Sequence, residues 1–511
     1  MDAPAADEYD CIDVKPAVNA TLNTLAGTLL RPLLRLLGYG SAGVALTLLT
    51  FFVLYLEGRP DLQPWHTADL DLEFRAGTAV ASFAEYLARE DRLFAQLEAR
   101  VYDRTGPADG DPGNRYRRGS AADPGRWPRN WNRSFEFAAP GRPVLLLHGL
   151  SDSPYSMLAL GQRLHAAGAH VVGLRIPGHG TAPSGLLSVR WQDMAAAVRL
   201  AVEYLAARHP GQPVNLIGYS NGGALAVQYA LTTLDEPVLP RVGRLVLLSP
   251  EIGVTRAAAL AVWQARLGLL LGLDKLAWND ILPEYDPFKY GSFAVNAGDL
   301  SYRITGAIQR HLSELAERDR LGAMPPILAF SSAVDATVLP LALVENLFER
   351  LPPGGHELVL YDINHRDGIQ PLLNWSPDPM VAALQRRAGQ SYALSVVTNA
   401  EPGGAAVIER RWVPGADAVA ESALGLEWPA DVYSLSHIAL PFAPDDPLYG
   451  GRPEVPSPGI RLGDLTWRGE RGVLQVSPAA MLRQRWNPFW AYQERRILEF
   501  LELAGAPEAS D

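Results

Sequence analysis

The run Gly218-Tyr219-Ser220-Asn221-Gly222 has the residue types and spacing of G-x-S-x-G. A serine hydroxyl is a weak nucleophile, and this motif is one way to present it. A sharp strand-to-helix turn lifts the side chain above a sheet, and small neighbours keep strand and helix from clashing. Gly218, Gly222 and Gly223 are such neighbours. The helix that follows brings unpaired backbone N–H groups and a positive dipole end to the place where negative charge would develop. The chemistry implied is acyl transfer. It needs three further parts: a base for the serine proton, an acid to orient the base, and N–H donors for an oxyanion.

The donors expected are the backbone amides of Asn221, directly after the serine, and of Leu150, which follows His148-Gly149 at the end of an apolar run. His148 sits on the loop of those donors and reads as structural, not as the base. With the parts ordered serine, acid, histidine along the chain, Asp335 is the leading acid because it closes the strand-like ILAFSSAVD; Asp362 and Asp367 are rivals. Two histidines compete as base. His365 follows the next strand-like run, HELVLYDIN, and topology favours it; His437 lies further on, in VYSLSHIALPF.

The elements around these residues alternate. Apolar runs at 144–147, 171–176, 214–217, 245–248, 327–331 and 357–361 read as strands buried on both faces, and stretches at 158–167, 191–207 and 223–231 read as helices between them. Such alternation indicates an α/β class, a doubly wound, mostly parallel sheet, and with G-x-S-x-G at a strand-to-helix turn the expected arrangement is the α/β-hydrolase fold. An insertion at about 251–324 carries AAALAVWQARLGLLLGL and an aromatic-rich segment, and is expected to be a helical cap. An extended C-terminal region adds a strand-like run at 394–398, a loop-rich stretch and a terminal helix near 489–503.

Residues 36–56 are uncharged and long enough to cross a hydrocarbon core of about 30 Å as a helix. Arg31 and Arg35 precede them, and Asp61, Asp69, Asp71 and Glu73 follow, so the positive-inside rule leaves 1–35 as a cytoplasmic tail and exports the rest. The apolar run is too long for an ordinary cleaved signal peptide, and a lipoprotein is excluded because Cys11, the single cysteine, precedes it. Residues 57–130 read as an extended linker (59–75), an amphipathic helix (78–102) and a Gly- and Pro-rich loop. Residues 131–511 are expected to form the α/β-hydrolase-fold domain.

The 511-residue composition, 48% hydrophobic and 20% charged, is that of a globular protein. A net charge of −11 gives no footprint for nucleic acid. The ten histidines are scattered without an H-x-x-x-H pair, so no metal or other cofactor is expected.

LLLHGLSDSPYSM, LRIPGHGTAP, VRWQDM, GYSNGGALA, SAVDATV and SHIALPFAPDDPLYG resemble exported bacterial α/β-hydrolases of the carboxylesterase and monoacylglycerol-lipase-like group, filed with the serine-aminopeptidase-like hydrolases. The resemblance covers about residues 130–450. It implies ester hydrolysis on a small ester or lipid-like substrate. It also implies that the S-H-x-A-L-P-F segment holds the base, which makes His437 the choice over His365. A peptidase of the same group would need acids to hold a free amine, and Glu251, Glu284 and Asp286 are the candidates. A catalytically inactive binding module is the remaining alternative, disfavoured by the intact Ser220, Asp335 and histidine.

Overall fold

The computed structural model describes residues 31–106, 113–253, 273–366, 370–387, 391–416, 418–463 and 477–503. The apolar helical stretch expected at 257–273 lies almost wholly outside these, as do Asp367, Cys11 and most of the N-terminal tail. The chain forms two units, Met1–Pro60 and Asp61–Asp511. In the first, helix α1 (Arg31–Glu57) is uncharged beyond Arg35 until its last residue and is long and apolar enough to cross a membrane, a property it shares with signal sequences.

The second unit is built on one sheet. Its elements in chain order are α2 (Phe83–Arg100), β1 (Phe135–Phe137), β2 (Pro143–Leu147), α3 (Leu158–Ala166), β3 (His170–Leu174), α4 (Trp191–Arg208), β4 (Val214–Tyr219), α5 (Asn221–Asp235) and β5 (Val242–Leu248). There follow β6 (Trp278–Asp280), β7 (Phe293–Ala294), α6 (Val295–Glu317), β8 (Ile327–Ser332), α7 (Pro340–Asn346), β9 (His356–Tyr361), α8 (Asp378–Arg387), β10 (Tyr392–Asn399), β11 (Ala406–Trp412), β12 (Ala420–Glu427) and α9 (Trp490–Phe500). The order across the sheet is β1-β3-β2-β4-β5-β8-β9-β10-β11-β12, and the run from β3 to β10 is parallel. Strands β2, β3, β4 and β8 are buried at every residue, as their unbroken apolar runs require when helices cover both faces.

Three regions differ from their sequence reading. The segment expected to be an extended linker is packed: Trp65, Leu70, Glu73 and Phe74 are buried. The reason is electrostatic. Arg175, at the end of β3, is buried and donates to Glu73 at 2.9 and 3.0 Å and to Glu90 of α2 at 3.0 Å, and such a charge persists in the interior only when paired. The second region is the insertion. Its long helix α6 buries Leu300, Ile304, Ile308, Leu312 and Leu315 in the same core as the apolar residues of α5, so it flanks the sheet and only the residues before it are left to form a cap. The third is the C-terminal stretch, where β11 and β12 extend the sheet antiparallel; β11 is mostly half-buried and β12 mostly exposed, so neither gave an apolar run to read.

Candidate active site

Ser220 stands between β4 and α5 with φ 52° and ψ −115°, a left-handed conformation that a non-glycine residue adopts only when the surroundings hold it there. The hold is visible. Its N–H donates to Leu248 O at 2.9 Å, and its carbonyl accepts from Gly223 N–H and Glu251 N–H, each at 3.0 Å. The glycines around it are matters of space. A Cβ on Gly218 would stand 2.3 Å from Gly222 O, and one on Gly222 would stand 2.2 Å from Leu147 O. The turn is therefore closed to any larger residue at either position, as the motif implied.

Strand β2 pairs Leu147 with Gly218, so the turn carrying Leu150 and the turn carrying Asn221 leave the sheet side by side at its carboxyl edge. The first turn is braced from the insertion: Ser151, at φ 62°, accepts from Tyr290 N–H at 2.9 Å, and Lys289 pairs with Asp152 at 2.9 Å. His148 is fully buried. Its Nε2 accepts from Ile176 N–H at 3.0 Å, so the ring proton is on Nδ1, which donates to Gly149 O at 2.9 Å. Burial drives its pKa well below the usual histidine value, helped by nearby His179. The ring ties two loops together and offers no free nitrogen.

Asp335 and His437 are brought together. His437 Nδ1 lies 2.8 Å from Asp335 Oδ2, with both residues buried. Asp335 Oδ1 accepts from the N–H groups of Thr337 and Val338, at 2.8 and 2.9 Å. Burial alone would raise the Asp335 pKa. The His437 charge and hydrogen bond, with the two backbone donors, outweigh it and hold the carboxyl below its ordinary value. An ionised carboxylate there accepts from Nδ1–H and leaves Nε2 of His437 as the basic nitrogen. The imidazole packs against Tyr219, ring centroids 5.3 Å apart, which sets it beside the turn that carries Ser220.

His437 lies in the C-terminal extension, which is clipped to the sheet by hydrogen bonds. Ser332 at the end of β8 donates to Leu435 O at 2.8 Å, and Asn364 after β9 donates its Nδ2 to Val432 O at 3.0 Å and its N–H to Tyr433 O at 2.8 Å. Beyond the histidine, Gln493 of α9 donates to Leu440 O at 2.9 Å. His365 is placed elsewhere. Its Nε2 lies 2.9 Å from Asp362 Oδ2, a pairing that raises the His365 pKa against the opposing effect of burial. Asp362, the rival acid, thus serves His365, not His437.

Of the acids considered as amine holders, two are occupied within their own loop. Glu284 accepts from Gly291 and Ser292 N–H groups, and Asp286 from Phe288 and Lys289 N–H groups and the Tyr449 hydroxyl. Glu251 differs. It leaves β5 beside Ser220 and accepts from Asn221 Nδ2 at 3.1 Å; burial raises its pKa against hydrogen bonds from Ser301 and Asn221 and the charge of His437. Its place next to the elbow was not legible in the sequence, because it depends on β4 and β5 being neighbours.

Residues 138–363 match the family described as serine aminopeptidase, S33 (Hydrolase_4), and the sheet and its helices have the α/β-hydrolase fold. No curated protein matches the chain at a significant level. Among solved structures, it is similar to a metagenome-derived lipolytic enzyme reported under LipS and LipT, at 20% identity over 50% of this chain and 98% of that one, with a TM-score of 0.36. A monoacylglycerol lipase from Paleococcus ferrophilus is 22% identical over 45% of this chain and 88% of that one, with a TM-score of 0.33. A monoglyceride lipase from Saccharomyces cerevisiae is 17% identical over 43% and 77%, with a TM-score of 0.33.

Proposed function

We propose that the protein is a serine hydrolase that cleaves carboxylic esters through an acyl-enzyme on Ser220. His437 takes the hydroxyl proton and returns it to the leaving alcohol, Asp335 fixes the imidazole with its proton on Nδ1, and the backbone N–H groups of Leu150 and Asn221 receive the oxyanion. The observation that carries this reading is the buried 2.8 Å pair of His437 and Asp335 beside a strained serine turn. Each part has its physical role: a weak nucleophile is activated, its base is oriented, and charge develops next to preorganised donors. The substrate class is an ester with an apolar acyl group, and no metal or cofactor takes part in these steps.

We further propose that α1 tethers the enzyme to a membrane with the hydrolase unit on the exported side, on the strength of its uncharged length, the arginines before it and the acids after it. A second reading, removal of residues from a peptide with a free amino terminus, is favoured by one feature: Glu251 is a carboxyl beside Ser220 that could receive an ammonium group.

Labelling with a fluorophosphonate and turnover of a p-nitrophenyl ester series test the main reading together. Ser220→Ala should abolish labelling and lower turnover by roughly 10⁴- to 10⁶-fold. Retained labelling would refute the assignment, and aminoacyl amides turned over faster than any ester would replace it with the peptidase.

A further inference from the structure

Asp362 closes β9 with a buried carboxylate. Its Oδ1 accepts from Ile363 N–H at 2.8 Å, and its Oδ2 accepts from the Thr398 hydroxyl at 2.9 Å and meets His365 Nε2 at 2.9 Å. Asp378, the first residue of α8, completes a group in which one donor atom from each of the three residues lies within 4.8 Å of the others. The cluster stands outside the Ser220 site and is drawn from three places: a strand end, the turn after it and a helix start.

A carboxylate taken out of water needs a compensating positive charge. The described side-chain partners of Asp362 are a hydroxyl and an imidazole, with no lysine or arginine. A protonated His365 supplies that charge at low pH, and a cation shared with His365 and Asp378 would supply it once the imidazole is neutral. The donor set also discriminates among ions. One imidazole nitrogen with two carboxylate oxygens suits zinc, whereas calcium and magnesium prefer shells made of oxygen alone. Zinc binds imidazole nitrogen and carboxylate oxygen at about 2.0–2.2 Å in tetrahedral geometry, which sets its ligand atoms about 3.4 Å apart. His365 Nε2 and Asp362 Oδ2, hydrogen-bonded at 2.9 Å, would therefore move slightly apart to admit the ion. Asp378 is exposed and can close the remaining gap by a change of rotamer. The Thr398 hydroxyl already orients Asp362, as outer partners of metal ligands commonly do.

We propose that Asp362, His365 and Asp378 form a zinc site. It is a structural site, not a catalytic one. Asn364 lies between two of the ligands and holds the backbone of Val432 and Tyr433, on the way to His437. A bound ion would therefore brace the turn on which the base-bearing segment rests.

The test uses the full chain in detergent, stripped with a chelator and titrated with zinc chloride in a calorimeter, with thermal unfolding followed in parallel. One equivalent should bind saturably and raise the unfolding midpoint, while calcium and magnesium chloride should not. Asp378→Asn changes an exposed residue and should fold; it should weaken zinc at least about tenfold and remove the thermal shift, and His365→Ala should do the same. Absence of saturable binding overturns the proposal. So does binding that survives both substitutions and is lost in His209→Ala, which would place the ion at the His170–His209 pair, where the rings meet at 2.7 Å. Ester turnover plays no part in these readouts, so the site stands or falls apart from the Ser220 reading.

Discussion

Strands β8 and β9 are neighbours, with Ser332 paired to Tyr361, and each is followed within three residues by an aspartate that holds a histidine. The two pairs are close to identical in length, 2.8 Å for Asp335–His437 and 2.9 Å for Asp362–His365. Their origins differ. The first joins residues 102 apart in sequence and is buried; the second joins residues 3 apart and leaves His365 half-buried. An aspartate–histidine pair is thus not a signature of catalysis in itself. What separates the two is company: one imidazole lies against Tyr219 beside the serine turn, and the other faces Asp378 and solvent.

The comparison breaks most sharply at the histidines. His437→Ala should lower ester turnover by about the same roughly 10⁴- to 10⁶-fold as loss of the serine, while His365→Ala should leave it within a few-fold of the parent. Steady-state rates on one p-nitrophenyl ester decide it, and the reverse ranking would exchange the roles of the two pairs. The aspartates give the next effect. Asp335→Asn should cost about 10⁴-fold in kcat, because an amide favours the wrong tautomer of the imidazole, and Asp362→Asn should cost little in kcat.

The smallest effect is on stability, and it has opposite signs in pH. Asp335 has its pKa lowered from an ordinary 3.8, so its contribution is complete above that value and is lost as the pH falls through the lower folded value. His365 has its pKa raised from 6.5, so its contribution is complete below 6.5 and is lost as the pH rises through the higher folded value. Urea unfolding at a series of pH values, with chelator present, should show a shallower acid limb in Asp335→Asn and a flatter response above pH 6.5 in His365→Ala. Identical pH profiles in the two variants would erase the distinction.

The serine turn was legible because its requirements are local: three glycines, a buried strand before and a helix after. The parallel strands were legible for a similar reason, since burial on both faces writes an unbroken apolar run. The partner of Asp335 was not local. Topology pointed to His365, which does find an aspartate, but the one at the end of its own strand. Only the likeness of SHIALPF to known hydrolases pointed to His437, because nothing near it in sequence records that Ser332 and Asn364 would clip its segment to the sheet. Strands β11 and β12 were missed because the first is only half-buried and the second mostly exposed, and ERRW and AESALGLE carry charge where a core strand carries leucine. The pairing of Glu73 and Glu90 with Arg175 left no trace either, since a buried ion pair between distant residues looks, in sequence, like three surface charges.

That ion pair decides where the polypeptide could be severed without harm. Removing both glutamates would leave the Arg175 guanidinium buried and unpaired, at a cost of about 3–5 kcal/mol, against a total stability of about 5–15 kcal/mol for a typical domain. A protease that cuts between Glu57 and Asp61 would shed an intact hydrolase from its apolar helix. One that cuts after Glu90 and strips away the preceding chain would release a protein that has lost a large share of that stability. A cut that leaves the second unit whole is therefore confined to the few residues between α1 and Trp65.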